Sequence, residues 1–250
     1  MYTLKTLEHY NNIKKIYKSD EILLKIWNDV GSPRKSIGDC IRSVENFLVT
    51  NNDKTLENFL KYYLENTKSE EDIKKLVETL YDSFKLITNN KEVLDKKNIF
   101  DLIILHAVIE TYNGKKHEIE VEKYFTNKGC KIIRERKLDC DYHIDFLVKN
   151  KKYGAIQVKP ISFFIGKTID LMEDKERAID KFKKFVNSED NKYNFTMETP
   201  LYFMIYKNND FLNINKSFLL PIKNNNDYNK FNWKEISKNK KNWKKLNGTF

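Results

Sequence analysis

Cysteine is scarce. The chain has three, Cys40, Cys130 and Cys140, an odd number without the paired spacing of metal ligands. That excludes a disulfide framework and a cysteine-ligated zinc site, and it fits a reducing interior. Long apolar runs are missing as well. The most hydrophobic stretch, Ile99 to Ile109, is interrupted by Asp101 and His106 and falls short of the roughly 20 residues needed to span a bilayer. The opening residues, Met1 to Tyr10, lack the apolar heart of a signal peptide. The expectation is a cytoplasmic protein with no membrane partner. Arginine is rare too: with five in all, lysine carries nearly all the positive charge. There is no internal repeat.

What remains is rich enough to fold. At 250 residues the chain can form one large domain or two small ones. Apolar residues make up 40% and aromatics 13%, which excludes disorder despite a charged fraction of 33%. The net charge of +10 favours an acidic partner, with nucleic acid ahead of an anionic membrane surface. Abundant Lys and Asn are also what an AT-rich coding sequence produces, so charge alone leaves both origins open.

The first 110 or so residues read as helical. Segments 1–30, 39–49, 55–66, 69–87 and 95–111 carry apolar residues at helical spacing, broken by Gly31-Ser-Pro-Arg-Lys-Ser-Ile-Gly38. Ser69-Glu-Glu-Asp72 reads as a capping box. Tyr112-Asn-Gly114 signals a turn. A helix over 116–127 then stops at Gly129, and 130–136 is expected as a strand. Two more strands, at 141–148 and 155–160, flank a polar turn. A helix over 170–186 and strands at 200–206 and 218–222 follow. The expected fold is α/β (α+β), a mixed sheet flanked by helices with an all-helical N-terminal elaboration. Its expected parts are residues 1–112, a core over 113–223, and a basic aromatic tail over 224–250.

The chemistry gathers at the paired strands. Gln157 and Lys159 are two apart and so share a strand face. A hairpin brings that face beside Asp145. A carboxylate, an amide oxygen and an ammonium grouped this way suit holding a divalent cation against a phosphate. Asp145 offers a hard oxygen ligand; Lys159 is placed to orient or deprotonate water and to offset transition-state charge. Gln157 supplies a neutral oxygen where a carboxylate is more usual, so a further acid is expected. Glu118 is that candidate, with Glu122 one turn later on the same helix face. An Asp–Lys cross-strand ion pair is the plainer alternative.

These residues carry a resemblance. Glu118-x6-Phe125-x3-Gly129 followed by Ile144-Asp145-x11-Gln157-x-Lys159 resembles the PD-(D/E)XK nuclease superfamily in its Gln-x-Lys variant. Ile156-Gln-Val-Lys-Pro-Ile-Ser-Phe163, Ile109-Glu-Thr-Tyr-Asn-Gly-Lys-Lys-His-Glu118 and Gly31-Ser-Pro-Arg-Lys-Ser-Ile-Gly38 are similar to segments of the MjaI family of type II restriction endonucleases. The similarity runs over about residues 20–207. It departs in the swapped order of Pro33 and Arg34, at Lys115 and His117, and at Phe146, where the family has glycine.

The resemblance implies a restriction-endonuclease-like core and magnesium-dependent cleavage of double-stranded DNA at a short palindromic site. It also implies a homodimer and a cognate DNA methyltransferase encoded nearby. Glu118, Asp145, Gln157 and Lys159 would be catalytic, with Asp145, Gln157 and Glu118 on the metal. Two other readings stay open: a repair or recombination nuclease of the same superfamily that cuts by DNA structure, and a non-catalytic nucleic-acid-binding module.

Other features divide between two readings. Arg34, Lys35 and Ser36 suit phosphate or guanine contact at a helix N-terminus, or a solvated turn. Ser162, Lys167 and Thr168 suit backbone contact near the cut, or a plain loop. His117 and His143 flank the site residues and are either packed or substrate-facing. Arg134 and Arg136 are expected to alternate on one strand face. Trp233, Trp243 and the lysines from Lys234 to Lys245 mix basic and aromatic residues as nucleic-acid binders do; a docked terminal helix explains them equally well.

Overall fold

The structure is a computed structural model that describes residues 8–13, 40–66, 70–87, 96–150, 153–165, 169–213 and 218–246. The chain divides into two compact units, Met1–Lys116 and His117–Phe250.

The described elements of the first unit are all helices. Its helices are α1 (8–13), α2 (Cys40–Thr50), α3 (Leu56–Asn66), α4 (Glu70–Ile87) and α5 (Lys96–Ile103). A π-helical stretch, Ile104–Ile109, leads into α6 (Glu110–Asn127). Aromatic side chains form much of the core. Phe47, Phe59 and Tyr112 are all but fully buried, with the Phe59 and Tyr112 rings stacked 4.8 Å apart. This packing overrides the turn expected at Tyr112-Asn-Gly114. The Tyr112 ring is worth more in that core than Asn113 and Gly114 gain by breaking the helix, so all three lie inside α6. Lys115 is nearly buried because Glu45 pairs with it at 2.9 Å.

In the second unit α6 ends in a Schellman motif. Gly129 takes a positive φ of 75°; Cys130 N–H donates to Phe125 O at 3.0 Å and Gly129 N–H to Thr126 O at 2.9 Å. The described strands are β1 (Lys131–Ile133), β2 (Phe146–Lys149), β3 (Tyr153–Pro160), β4 (Leu201–Lys207), β5 (Asp210–Leu212), β6 (Leu219–Ile222) and β7 (Trp243–Lys244). They form one sheet in the order β1-β2-β3-β4-β5-β7, with β6 also paired to β4. β3 and β4 run parallel, and the other pairs antiparallel. A parallel pair needs a crossover. Here it contains the short α8 (Ile161–Ile165) and α9 (Ile169–Val186).

Alternation sorts the side chains onto two faces. Leu147, Ala155, Leu201, Phe203 and Ile205 pack with Ala178, Ile179, Phe182 and Phe185 of α9. Phe146, Val148, Ile156, Val158 and Met204 pack with Val121 and Phe125 of α6. The mixed α+β architecture expected from the sequence is the one observed.

A further expectation at element level is corrected. The strand expected over 130–136 spans only β1, and α7 (Arg136–Tyr142) occupies ground read as loop and strand. Arg136 opens that helix, so it does not alternate with Arg134 along a strand. Leu138 is buried in the core and Tyr142 donates its hydroxyl to Asp190 Oδ2 at 2.6 Å, contacts that a helix provides here. The 224–246 segment folds into the second unit. α10 (Asn225–Asn229) is opened by an Asn224–Asp227 capping box, α11 (Trp233–Lys238) follows, and β7 pairs with β5. Trp233 is buried, its Nε1–H donating to Tyr228 O at 2.8 Å. Trp243 Nε1–H donates to Ile236 O at 3.1 Å. Both indoles therefore serve packing. Trp233→Ala is expected to cost about 3–5 kcal/mol of stability, read as a lowered midpoint in denaturant unfolding.

Among the described residues no helix is long and apolar enough to cross a membrane.

Candidate active site

The β2–β3 pairing fixes the centre of the site. Its register sets Phe146 against Ile156 and Leu147 against Ala155. One step further, Asp145 stands opposite Gln157. The join is held by the backbone: Asp145 N–H donates to Ile156 O at 3.1 Å, and Val158 N–H donates to the Asp145 carboxylate Oδ2 at 2.6 Å. These bonds flank Gln157 on both sides and bring the expected carboxylate and amide together. Lys159 follows on the same strand face, its Nζ 5.9 Å from the centre of the Phe163 ring.

Gln157 is fully buried. Its Nε2 donates to the main-chain carbonyl of His143, while its Oε1 is buried with no hydrogen-bond partner. A buried amide oxygen left unpaired is costly unless a donor or a cation reaches it. His143 itself is a half-buried turn residue. It ends α7 in the left-handed region, φ 54°, a conformation in which His is enriched over most residues. The turn is braced by Ile144 N–H donating to Leu138 O at 2.9 Å.

Glu118 reaches the site from α6. Burial first, and then the Glu118 carboxylate, push the Asp145 carboxyl up to about 7; Lys159 and the Val158 N–H pull the other way, and Asp139 adds a smaller upward push. Sequence reading gave Arg134 no part in the site. Its guanidinium lies 3.5 Å from Glu118 Oε2 and also pairs with Glu122, clamping two carboxylates one helical turn apart that would otherwise repel. It also sits over the Phe146 ring at 5.8 Å. The signal available in the sequence was its rarity among lysines and its place just after β1.

The remaining expected residues fall elsewhere. Ser162 is exposed at the start of α8, three residues beyond Lys159. Arg34, Lys35, Ser36, Lys167 and Thr168 lie outside the described residues. His117 is buried, stacked on Tyr206 with centroids 3.8 Å apart. Its Nε2 lies 2.6 Å from Asn208 O, and since a carbonyl only accepts, that nitrogen carries a proton. His117 is a packing residue.

Can this site hold a cation? Among the described residues no cluster of three or more His, Cys, Asp or Glu side chains is arranged to hold a metal, so a cation at the hairpin has to draw on the Gln157 amide oxygen as well as carboxylates. The partnerless Oε1 opposite the half-buried Asp145 carboxylate is such a donor set. All-oxygen ligation suits magnesium and excludes a thiolate-type zinc site.

No curated protein and no solved structure matches the chain. A family model described as MjaI restriction endonuclease matches residues 22–210, well over half of the chain and a span that contains Glu118, Asp145, Gln157 and Lys159. The chain belongs to the MjaI restriction endonuclease family.

Proposed function

We propose that the chain is a magnesium-dependent type II restriction endonuclease. It hydrolyses phosphodiester bonds at a short palindromic site in double-stranded DNA and works as a homodimer alongside a cognate methyltransferase. The observation that carries this reading is the half-buried Asp145 carboxylate set opposite the buried Gln157 with its partnerless amide oxygen, in a member of this family.

Asp145, Gln157 Oε1 and Glu118 would hold magnesium, which when bound supplies a Lewis acid for a phosphate oxygen and lowers the pKa of water. The chain's own groups do the rest. Lys159 orients the attacking water, or takes its proton, and its charge offsets the negative charge that grows on the phosphate. The Val158 N–H keeps the Asp145 carboxylate in one orientation. Arg134 holds Glu118 in place. Arg34, Lys35, Ser36, Ser162 and Lys167 contact DNA, and the helical N-terminal region supplies recognition and dimer contacts.

The test is incubation of purified protein with unmethylated phage DNA, with magnesium or with a chelator. Discrete magnesium-dependent fragments are expected, and sequencing their ends gives the site. A magnesium-dependent smear would replace the reading with a nonspecific or structure-directed nuclease. Intact DNA with a shifted band on a gel would replace it with a binding module.

A further inference from the structure

Gln157 is the sole glutamine in 250 residues. It stands where a carboxylate would bind a cation more strongly, in a chain with 36 acidic residues to draw on. We propose that the amide is required: the His143 main-chain carbonyl, turned inward by the left-handed end of α7, selects one orientation of the Gln157 amide and so aims Oε1, not Nε2, at the cation. The inference rests on the proposed function for the identity of the ligand, and on geometry alone for the orientation.

The argument is one of donors and acceptors. A carbonyl oxygen accepts only, and an amide has one end that donates and one that accepts. With the His143 carbonyl against it, the amide is stable only with nitrogen toward the turn. The oxygen is then left buried and unpaired, an arrangement that costs free energy in the empty site and is relieved by a cation. A carboxylate at the same position would set two acceptors face to face against His143. Its extra charge would come with the loss of the bond that fixes the ligand atom. His143 is thus a positioning residue that acts through its backbone carbonyl. The left-handed φ of 54° sets the direction of the carbonyl, and β-branched residues tolerate that conformation worst.

Two measurements on the full chain test this. The first needs no metal. Glutamine-selective 15N labelling yields a single side-chain NH2 pair, since the chain has one glutamine. One of its two protons is expected to be shifted downfield and protected from solvent exchange in the wild type. A freely exchanging, averaged pair would overturn the fixed orientation.

The second is calorimetric titration with Mn2+. Gln157→Glu is expected to weaken binding by about tenfold or more despite its added negative charge, in the range seen when ligand-orienting partners are lost. His143→Val is expected to weaken it similarly. His143→Gly, which keeps access to the left-handed turn and removes the imidazole, is expected to bind Mn2+ within about twofold of wild type, with folding of each variant followed by circular dichroism. Equal or tighter binding by Gln157→Glu overturns the proposal, as does equal loss in the Gly and Val variants. Should His143→Val not fold, Gln157→Glu and His143→Gly still decide. A wild-type chain that binds no Mn2+ would overturn the ligand role together with the proposed function, whereas Mn2+ binding indifferent to these changes would overturn this inference alone.

Discussion

Asp145→Asn is expected to reduce DNA cleavage by about a thousandfold or more while DNA binding survives. Asparagine keeps the shape of the side chain, and its amide oxygen can still accept from Val158 N–H, so the β2–β3 join is preserved. What disappears is the negative charge opposite Gln157. The site then offers two neutral amide oxygens and Glu118, too little charge to hold a hard divalent cation against water. Loss of one preorganised electrostatic group typically costs about 10²–10³ in rate, and a ligand whose loss also empties the site costs more. Lys159→Ala should act in the same direction without touching the metal ligands. Single-turnover cleavage of a mapped site, with a gel shift in Ca2+ as the binding control, separates the two steps. Cleavage by Asp145→Asn within tenfold of wild type would remove Asp145 from the chemistry.

The second large effect is on pH. Because the Asp145 carboxyl is pushed up to about 7, a cation binding there has to displace a proton below that pH. Magnesium affinity, and cleavage at subsaturating magnesium, should fall about tenfold per pH unit below 7 and level off above it. The same group has a mirror effect on the metal-free fold. Its folded value lies above the ordinary 3.8, so its stabilising contribution is complete below about 4 and is lost as pH rises through 7. Asp190, Asp227 and Glu135 run the other way. Their hydrogen bonds, led by Lys137, Lys230 and Tyr193 respectively, hold them below the usual range. Their contributions are therefore present at neutral pH and lost in acid. Between pH 6 and 8 only Asp145 among these titrates. The metal-free melting temperature should drop across that window in the wild type, stay flat in Asp145→Asn, and be restored by saturating magnesium. A flat wild-type profile would place the Asp145 carboxyl in the ordinary range.

The site was legible in proportion to how local its geometry is. Gln157 and Lys159 share a face because strands repeat every two residues, and Asp145 meets them because a polar turn between two apolar runs makes a hairpin; both facts are written within some fifteen neighbouring positions. The Gly129 stop was legible for the same reason. Longer-range arrangements were not. Arg134 meets Glu118 and Glu122 only because β1 folds back beside α6, and no periodicity announces that contact. The helix α7 was hidden because seven residues make barely two turns, too few for a helical pattern to separate from a strand. β5 and β7, at three and two residues, are shorter still. Tyr112-Asn-Gly114 misled because the local preference for a turn is weaker than the ring packing of Tyr112 against Phe59. The lone glutamine was there to be counted, but its meaning needed the His143 carbonyl beside it.

The position of the last described strand also bears on timing. β3, which carries Gln157 and Lys159, is translated well before Tyr228, Trp233 and Leu246, which finish the hydrophobic packing on the two faces of its sheet. At roughly 5–20 residues per second, the interval from Lys159 to Leu246 is about 4–17 s. For those seconds the hairpin exists as sequence with its surrounding core incomplete, so the proposed site takes its final form only after the residues that complete that core have been made.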